Sequence, residues 1–479
     1  MESIRNFLNR LLPKGSAMRH VSILAGGTTI AQGLNVAIMP VLSRIYSPAD
    51  FGVMAAFSSI VAILMELSGL RYHYAIPLPK YERYAKSLVV LSFFLQAVFV
   101  VFISTVMLVF GKLLLGKISM DILIPYRYLI PVAVGGMGAY LVLTQWAIRE
   151  KLFQTIARTK VTQSVSGIIT KVILGLLGLR PLGLLLGSVA SQAGGITTLA
   201  KSLLKEKGFP KPRREDVKRV ALRYRAFPMY STLSGLFDTL GRQIAPILFV
   251  ALYSAQIGGW FSLSFQVLQL PAMLIGQAVG QVFLQKASVA KFEGNLSKVS
   301  RETFEILLEL AAFPILTIAI LAPGLFGFVF GDNWEMAGVF SRYLAPWVLF
   351  MFVFSPLSSL FFVMEKQREF LWFQIVNSVG RVLMVFGGFL RESPLISISL
   401  YGAFSLFFVL YILFWILEKT QNKLGILLKV SFRSLFKTSF LILPILLTNI
   451  FSGVFVITAL VALAVTPFYF KNIYRNLKK

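Results

Sequence analysis

The chain of 479 residues has no cysteine and only two histidines, His20 and His73. Disulfides, thiolate metal sites, haem attachment and cysteine–histidine nucleophiles are therefore excluded or left without residues. No G-x-x-x-x-G-K-[ST] phosphate loop occurs, so ATP is not hydrolysed through that motif, and no cofactor is expected. Charge is scarce as well: 14% of residues are charged and 57% apolar, where soluble domains hold about 25% and 45–50%. This excludes a soluble protein and leaves room for roughly a dozen membrane helices or slightly more, at about 20 residues each. Acids are the scarcest charges, 20 against 47 Lys plus Arg, for a net charge of +27. In a soluble chain that excess would suggest nucleic acid; here it marks one side of a membrane, and no nucleic-acid partner is expected.

Apolar stretches long enough to cross, broken by charge clusters and Gly/Pro turns, predict spans at 21–43, 52–70, 88–110, 124–147, 160–179, 181–200, 226–252, 257–283, 303–330, 337–364, 370–390, 394–417, 434–450 and 452–470. One alternate set of loops holds five cations: Arg44, Lys112, Lys117, Arg180 and Arg391. The other set, with both termini, holds thirty-seven. The positive-inside rule then places both termini in the cytoplasm. The first apolar run follows Arg5, Arg10, Lys14 and Arg19 and has neither the short length nor the cleavage site of a signal peptide, so it is expected to stay as the first helix.

The longest polar stretch, 201–225, has ten cations, three acids and two prolines. It reads as a cytoplasmic linker, with a basic amphipathic helix that could lie on anionic headgroups. It separates an N-lobe of six spans (1–200) from a C-lobe of six (226–418), and residues 419–479 form a final helix pair. The sixes are related. Arg127-Tyr128-Leu129-Ile130-Pro131 matches Arg342-Tyr343-Leu344-Ala345-Pro346, and Glu150-Lys151 matches Glu365-Lys366, both at an offset of 215. Gln163 with Gln374 and Arg180 with Arg391 follow at an offset of 211. Tyr46-Ser47 with Gly52 matches Tyr253-Ser254 with Gly259 in the first loop of each half. Because six is even, the halves are parallel repeats, and in such folds the substrate path lies between them. The expected fold is thus an all-α polytopic membrane protein of about fourteen transmembrane helices: two six-helix lobes around a central cavity plus a C-terminal pair.

The segment Ser43-Arg44-Ile45-Tyr46-Ser47-Pro48-Ala49-Asp50-Phe51-Gly52, followed by Leu70-Arg71-Tyr72 and Ala75-Ile76-Pro77-Leu78-Pro79-Lys80, resembles the opening of bacterial polysaccharide-biosynthesis membrane proteins. These are the Wzx-type flippases of the multidrug/oligosaccharidyl-lipid/polysaccharide (MOP) exporter superfamily. Similar stretches are Gln145-Trp146 through Phe153, Gly183 to Gly187, Leu270-Pro271 with Gly276-Gln277, and Gly331 to Trp347. His73 departs from the pattern, which has an acid after the Arg-Tyr pair. The resemblance implies a transporter, not an enzyme, in the bacterial inner membrane. It would move undecaprenyl-diphosphate-linked oligosaccharide from the cytoplasmic to the periplasmic leaflet, for O-antigen, capsule or exopolysaccharide. It also implies a final helix pair that cradles the lipid tail, with a polysaccharide polymerase and chain-length machinery as expected partners. Because no nucleotide site is present, a proton or sodium gradient is the expected drive.

Such a substrate needs cations and hydroxyl or amide groups inside the membrane, where ionisable groups mark a pathway by default. Lys171 and Arg381 lie near the middle of spans five and eleven, one per half, with no acid at helical spacing in their own helix. They are the first candidates for the diphosphate. Arg44, Arg71 and Arg242 join them, with Gln32 and Asn35 from the stripe Thr28, Gln32, Asn35. Asp238 and Glu66 are the candidates for ion coupling; Asp238 and Arg242, four apart, can also be a purely structural pair. Arg127 and Arg342, near span ends, are expected to cap their lobes, and Glu305 and Glu309 are further intramembrane acids. The cation candidates Arg127, Lys171, Arg242, Arg342 and Arg381, set against the acids Glu66, Asp238, Glu305 and Glu309, favour an anionic substrate. A multidrug or cation exporter of the same fold remains the alternative, and a polyprenyl-dependent glycosyltransferase or polymerase ranks behind it, because the outside loops are short.

Overall fold

The computed structural model describes residues 16–205, 212–452 and 454–478. All regular structure among them is helical: α1 (Ser16–Ala37), α2 (Met39–Ile45), α3 (Pro48–Leu67), α4 (Glu82–Val109), α5 (Gly111–Lys117), α6 (Leu129–Arg149), α7 (Phe153–Leu176), α8 (Leu182–Ala193), α9 (Ile196–Lys205), α10 (Arg214–Arg223), α11 (Thr232–Leu252), α12 (Ala255–Leu268), α13 (Leu270–Phe292), α14 (Leu296–Phe330), α15 (Glu335–Leu357), α16 (Leu360–Val363), α17 (Gln367–Phe389), α18 (Pro394–Lys419), α19 (Leu424–Ser452) and α20 (Phe455–Lys478). Among the described residues, ten helical stretches are long and apolar enough to cross a membrane. The chain is therefore a multi-pass membrane protein.

Each of the fourteen predicted runs lies on a helix or a broken pair of helices. Four fall outside the ten: the runs on α1–α2, α7, α12–α13 and α20, the last with only the shorter apolar stretch Phe455–Tyr469. Polarity accounts for α1 and α7, since α1 carries Thr28, Thr29, Gln32 and Asn35 and α7 carries Thr162, Gln163, Ser164, Ser166, Thr170 and Lys171. Helices of that composition gain more from facing one another than from facing lipid.

The chain divides into two compact units, Met1–Gly259 and Trp260–Lys479. In the first, α7 packs on α1 and α8. Small residues bring α7 and α8 together, a Cβ on Gly167 falling 2.6 Å from that of Ser191. Helix α3 begins with a capping box, in which Asp50 accepts from the Ser47 backbone N–H at 2.8 Å and donates its own N–H to Ser47 Oγ at 3.2 Å. It packs on α11. One apolar core gathers Val53, Phe57, Val61, Ile130, Leu185 and Val250; a second gathers Leu88, Tyr140, Trp146 and Val220.

That second core takes in part of the expected linker. Residues 206–211, with Pro210, lie outside the described residues, as do the predicted N-terminal cations Arg5, Arg10 and Lys14. Beyond them α10 buries Val220 in the core, with Val217 and Ala221 packed alongside. Tyr72 donates to the Ala221 carbonyl at 2.9 Å, and Arg219 to the Tyr84 hydroxyl at 2.8 Å. Val217, Val220 and Ala221 of this helix thus pack on protein, while Leu222 beside them is exposed.

In the second unit α14 packs along α15, Gly338 lying so close to the Ala322 carbonyl that no side chain fits. The α19–α20 hairpin docks on α14. Lys437 Nζ is 2.9 Å from Glu309 Oε1, Tyr469 donates to the Leu310 carbonyl at 2.8 Å, and its ring stacks on Phe313 with centroids 4.6 Å apart. Glu309, expected as a pathway acid, anchors the hairpin here.

Candidate functional site

Ser68 ends α3, and the next three residues all take left-handed backbone conformations: Gly69 (φ 65°), Leu70 (φ 49°) and Arg71 (φ 56°). Glycine adopts this region freely, but each of the other two costs about 1–3 kcal/mol. Neighbouring groups hold the turn. Ser68 donates to Gln96 Oε1 at 2.7 Å, and Gln96 Nε2 donates to the Val134 carbonyl at 2.9 Å. Downstream, Arg149 donates to the Pro79 carbonyl at 2.7 Å. His73 is buried in the turn, and its Nε2 has no hydrogen-bond partner among the described residues.

The turn aims Arg71 back at Glu66. Its Nε and Nη2 lie 2.8 and 2.7 Å from Glu66 Oε2, both side chains being about one-fifth exposed. Helix α11 receives this pair on a single stripe. Ser231, in the π-helical turn Phe227–Ser231 that leads into α11, accepts from Arg71 Nη1 through its carbonyl at 3.1 Å. Gly235, four residues on, lies directly against the guanidinium, where a Cβ would overlap it. Thr239, four further, donates to Glu66 Oε1 at 2.9 Å. Beyond Thr239, Ser59 donates to Gln243 Oε1 at 3.0 Å, so α3 and α11 run antiparallel with polar contacts along their seam. The carboxylate faces the guanidinium fork, whose planar geometry serves a phosphate equally well.

The remaining predicted residues distribute as follows. Asp238 and Arg242 form a 2.7 Å ion pair on the open side of α11, with side chains 43% and 62% exposed. Gln32 has no hydrogen-bond partner among the described residues, whereas Asn35 accepts from Ser164 on α7 at 3.2 Å through its Oδ1. Arg44 is exposed in the last turn of α2, where a cation suits the helix dipole.

Lys171 on α7 lays its methylenes over Gly187, and its backbone carbonyl accepts from Tyr46 at 2.7 Å. Burial, and after it the Asp50 carboxylate, push the Tyr46 phenol up to about 12, so it remains a donor. The Lys171 ammonium has no ion pair or hydrogen bond among the described residues. In the second unit Arg381 donates from Nε to Ser405 at 3.0 Å and lies over Trp347 and Tyr401, 4.7 and 5.5 Å from their centroids. Arg127 donates to the Ile124 carbonyl at 2.9 Å, and Arg342 to the Ile320 carbonyl at 3.0 Å. The cradle residues Gly235 and Thr239 escaped the sequence reading, although the spacing of Ser231, Gly235 and Thr239 places all three on one helical face. Among the described residues, no group of three or more His, Asp or Glu could hold a metal ion.

Residues 41–338 match the model of a family described as polysaccharide biosynthesis protein. No curated protein sequence matches the chain. Among solved structures, an inward-facing multidrug resistance MATE family transporter of the MOP superfamily is similar at a TM-score of 0.63 and 15% identity, over 87% of this chain and 100% of the other. The lipid II flippase MurJ, in an inward closed conformation, is similar at 0.63 and 14% identity, over 94% and 99%. A MOP superfamily transporter from Pyrococcus furiosus, described as having a binding pocket of reverse polarity, is similar at 0.53 and 14% identity, over 86% and 98%. At these identities the likeness is one of fold, and the fold is that of MOP superfamily transporters.

Proposed function

The chain belongs to the polysaccharide biosynthesis protein family, and from that premise we propose that it is a flippase for lipid-linked oligosaccharide diphosphates. In this reading fourteen helices cross the bacterial inner membrane with both termini in the cytoplasm. The head group, carried on an undecaprenyl chain, passes from the cytoplasmic to the periplasmic leaflet while the chain stays in lipid. Arg71, Lys171, Arg242 and Arg381 serve the diphosphate, Arg44, Gln32 and Asn35 serve the head group, and Asp238 and Glu66 respond to an ion gradient.

The observation that carries this reading is the Lys171 ammonium on α7, a helix this reading places in the membrane, with no acid to neutralise it among the described residues. A charge left unpaired there is costly, and an anionic substrate removes the cost. A cation exporter would use the two coupling candidates as open carboxylates, yet Asp238 and Glu66 each sit 2.7 Å from an arginine.

The test is reconstitution of the full chain in liposomes with a fluorescent prenyl-diphosphate oligosaccharide, scoring its exposure at the outer leaflet. Head-group movement that depends on the protein, together with no uptake of cationic dyes, is the expected result. Dye transport without head-group movement would overturn the reading in favour of the exporter.

A further inference from the structure

Helix α3 meets different partners at its two ends, α12 near its start and α11 near its close. At one end backbone lies on backbone: a Cβ on Gly52 would overlap the Ala255 carbonyl, and one on Gly259 the Pro48 carbonyl. No chemistry there can be switched by a ligand. At the other end, where the cation-rich loops gather, the join runs through one guanidinium and one carboxylate: Arg71 to Glu66 and the Ser231 carbonyl, Thr239 to Glu66. Around it the backbone departs from regular helix on both sides, with three left-handed residues after α3 and a π-helical turn before α11. Unusual backbone of both kinds concentrates at functional and switching sites.

Glu66 is an internal occupant of an anion site. It fills the Nε–Nη2 face of Arg71, the face that binds a phosphate in two-pronged fashion. Gly235 lets the guanidinium lie flat on α11, and Thr239 holds the carboxylate in place.

We propose that the Glu66–Arg71 pair is a latch opened by substrate: a prenyl-borne diphosphate takes Arg71 from Glu66, and the end of α3 then separates from the start of α11. The proposal rests on the flippase reading above and adds its trigger. A ligand shifts such an equilibrium only by its preference for one state. Here the preference comes from Arg71, whose fork the diphosphate can occupy only once Glu66 has left it. The strained turn at Leu70 and Arg71 relaxes in the same step, and the glycine-floored contact at the far end stays closed as the pivot.

The chain has no cysteine, so a spin-label pair can be placed at Leu78→Cys and Met229→Cys, both at exposed positions flanking the latch. The full chain in nanodiscs is titrated with farnesyl diphosphate, farnesol and inorganic pyrophosphate, reading affinity and label separation. Farnesyl diphosphate should bind and lengthen the separation, and farnesol should do neither. Glu66→Gln removes the internal competitor and should tighten farnesyl diphosphate about tenfold, the worth of a charge-assisted hydrogen bond, with the labels partly separated before ligand is added. Thr239→Val, a near-isosteric change that keeps the fold safe, should tighten it by a few-fold. Arg71→Ala should separate the labels without ligand and abolish the response.

If farnesyl diphosphate binds the wild-type chain but neither Glu66→Gln nor Thr239→Val tightens it, the latch is wrong and the flippase reading stands. If it binds no better than farnesol, both fall. Tightening with a fixed label distance overturns the release, and an equal response to inorganic pyrophosphate overturns a lipid-borne trigger.

Discussion

Gly52 and Gly259 stand six residues after the tyrosines of the matching Tyr46-Ser47 and Tyr253-Ser254, and each lies against the other's helix start: Gly52 against the carbonyl of Ala255, Gly259 against that of Pro48. Ala255 is the repeat counterpart of Pro48, so the contact is reciprocal, as a local twofold relation between the two segments requires. A backbone carbonyl cannot swing aside as a long side chain can. Gly52→Ala and Gly259→Ala should each destabilise the protein by about 1–3 kcal/mol, read as a lower thermal midpoint in detergent. The double variant should cost less than the two single changes together, because the first displacement makes room for the second methyl.

Lys171→Ala and Arg381→Ala should both reduce translocation, with different consequences for stability. The Lys171 ammonium makes no ion pair or hydrogen bond among the described residues, and the cost of leaving it unpaired offsets the packing of its methylenes on Gly187. Its truncation should therefore leave the thermal midpoint nearly unchanged. Arg381 bonds to Ser405 and lies on Trp347 and Tyr401, and its loss should cost about 1–2 kcal/mol. Arg381→Lys should recover part of the transport but not the stacking. Wild-type sugar export by both alanine variants at equal protein level would remove these residues from the pathway.

Asp238→Asn keeps the side-chain shape and removes the charge that faces Arg242 at 2.7 Å. If an ion gradient is coupled through this carboxylate, transport by the variant should stop or no longer respond to dissipating the gradient. Liposome flux measured with and without an imposed proton or sodium gradient decides it, and equal gradient sensitivity of variant and wild type would return Asp238 to a structural role.

Glu309→Gln should loosen the α19–α20 hairpin, because Lys437 loses its counter-ion. Exposure of the lysine to about one-third limits the effect to about 1–2 kcal/mol. Limited proteolysis should cut faster in the connection around Thr420–Lys423, while the α14–α15 packing survives.

Reporter fusions at Lys479 and within 201–225 should both report cytoplasm, given the thirty-seven cations on one set of loops against five on the other. A periplasmic signal at Lys479 would delete the final hairpin crossing.

Membrane class and helix positions were legible in the amino-acid sequence, because hydropathy and charge alternation are properties of the chain in one dimension. The α3 start was legible too, since Ser47 and Asp50 form a cap from residues three apart. Only the tertiary structure decided which faces meet. Glu66 and Arg71 were visible as separate candidates, but their shared cradle on Ser231, Gly235 and Thr239 lies some 160 residues further along the chain. No propensity predicts Leu70 and Arg71 in left-handed conformations, which persist because Gln96, Glu66 and Ser231 hold the flanks of the turn from elsewhere in the fold. The opposite fates of two acids follow the same logic. Glu309 became an anchor because Lys437 packs beside it, and Glu66 became the partner of Arg71 because Arg71 turns back onto it. Local sequence dictates where a helix runs, whereas the role of a charge inside it depends on the partner that packing brings from a distant segment.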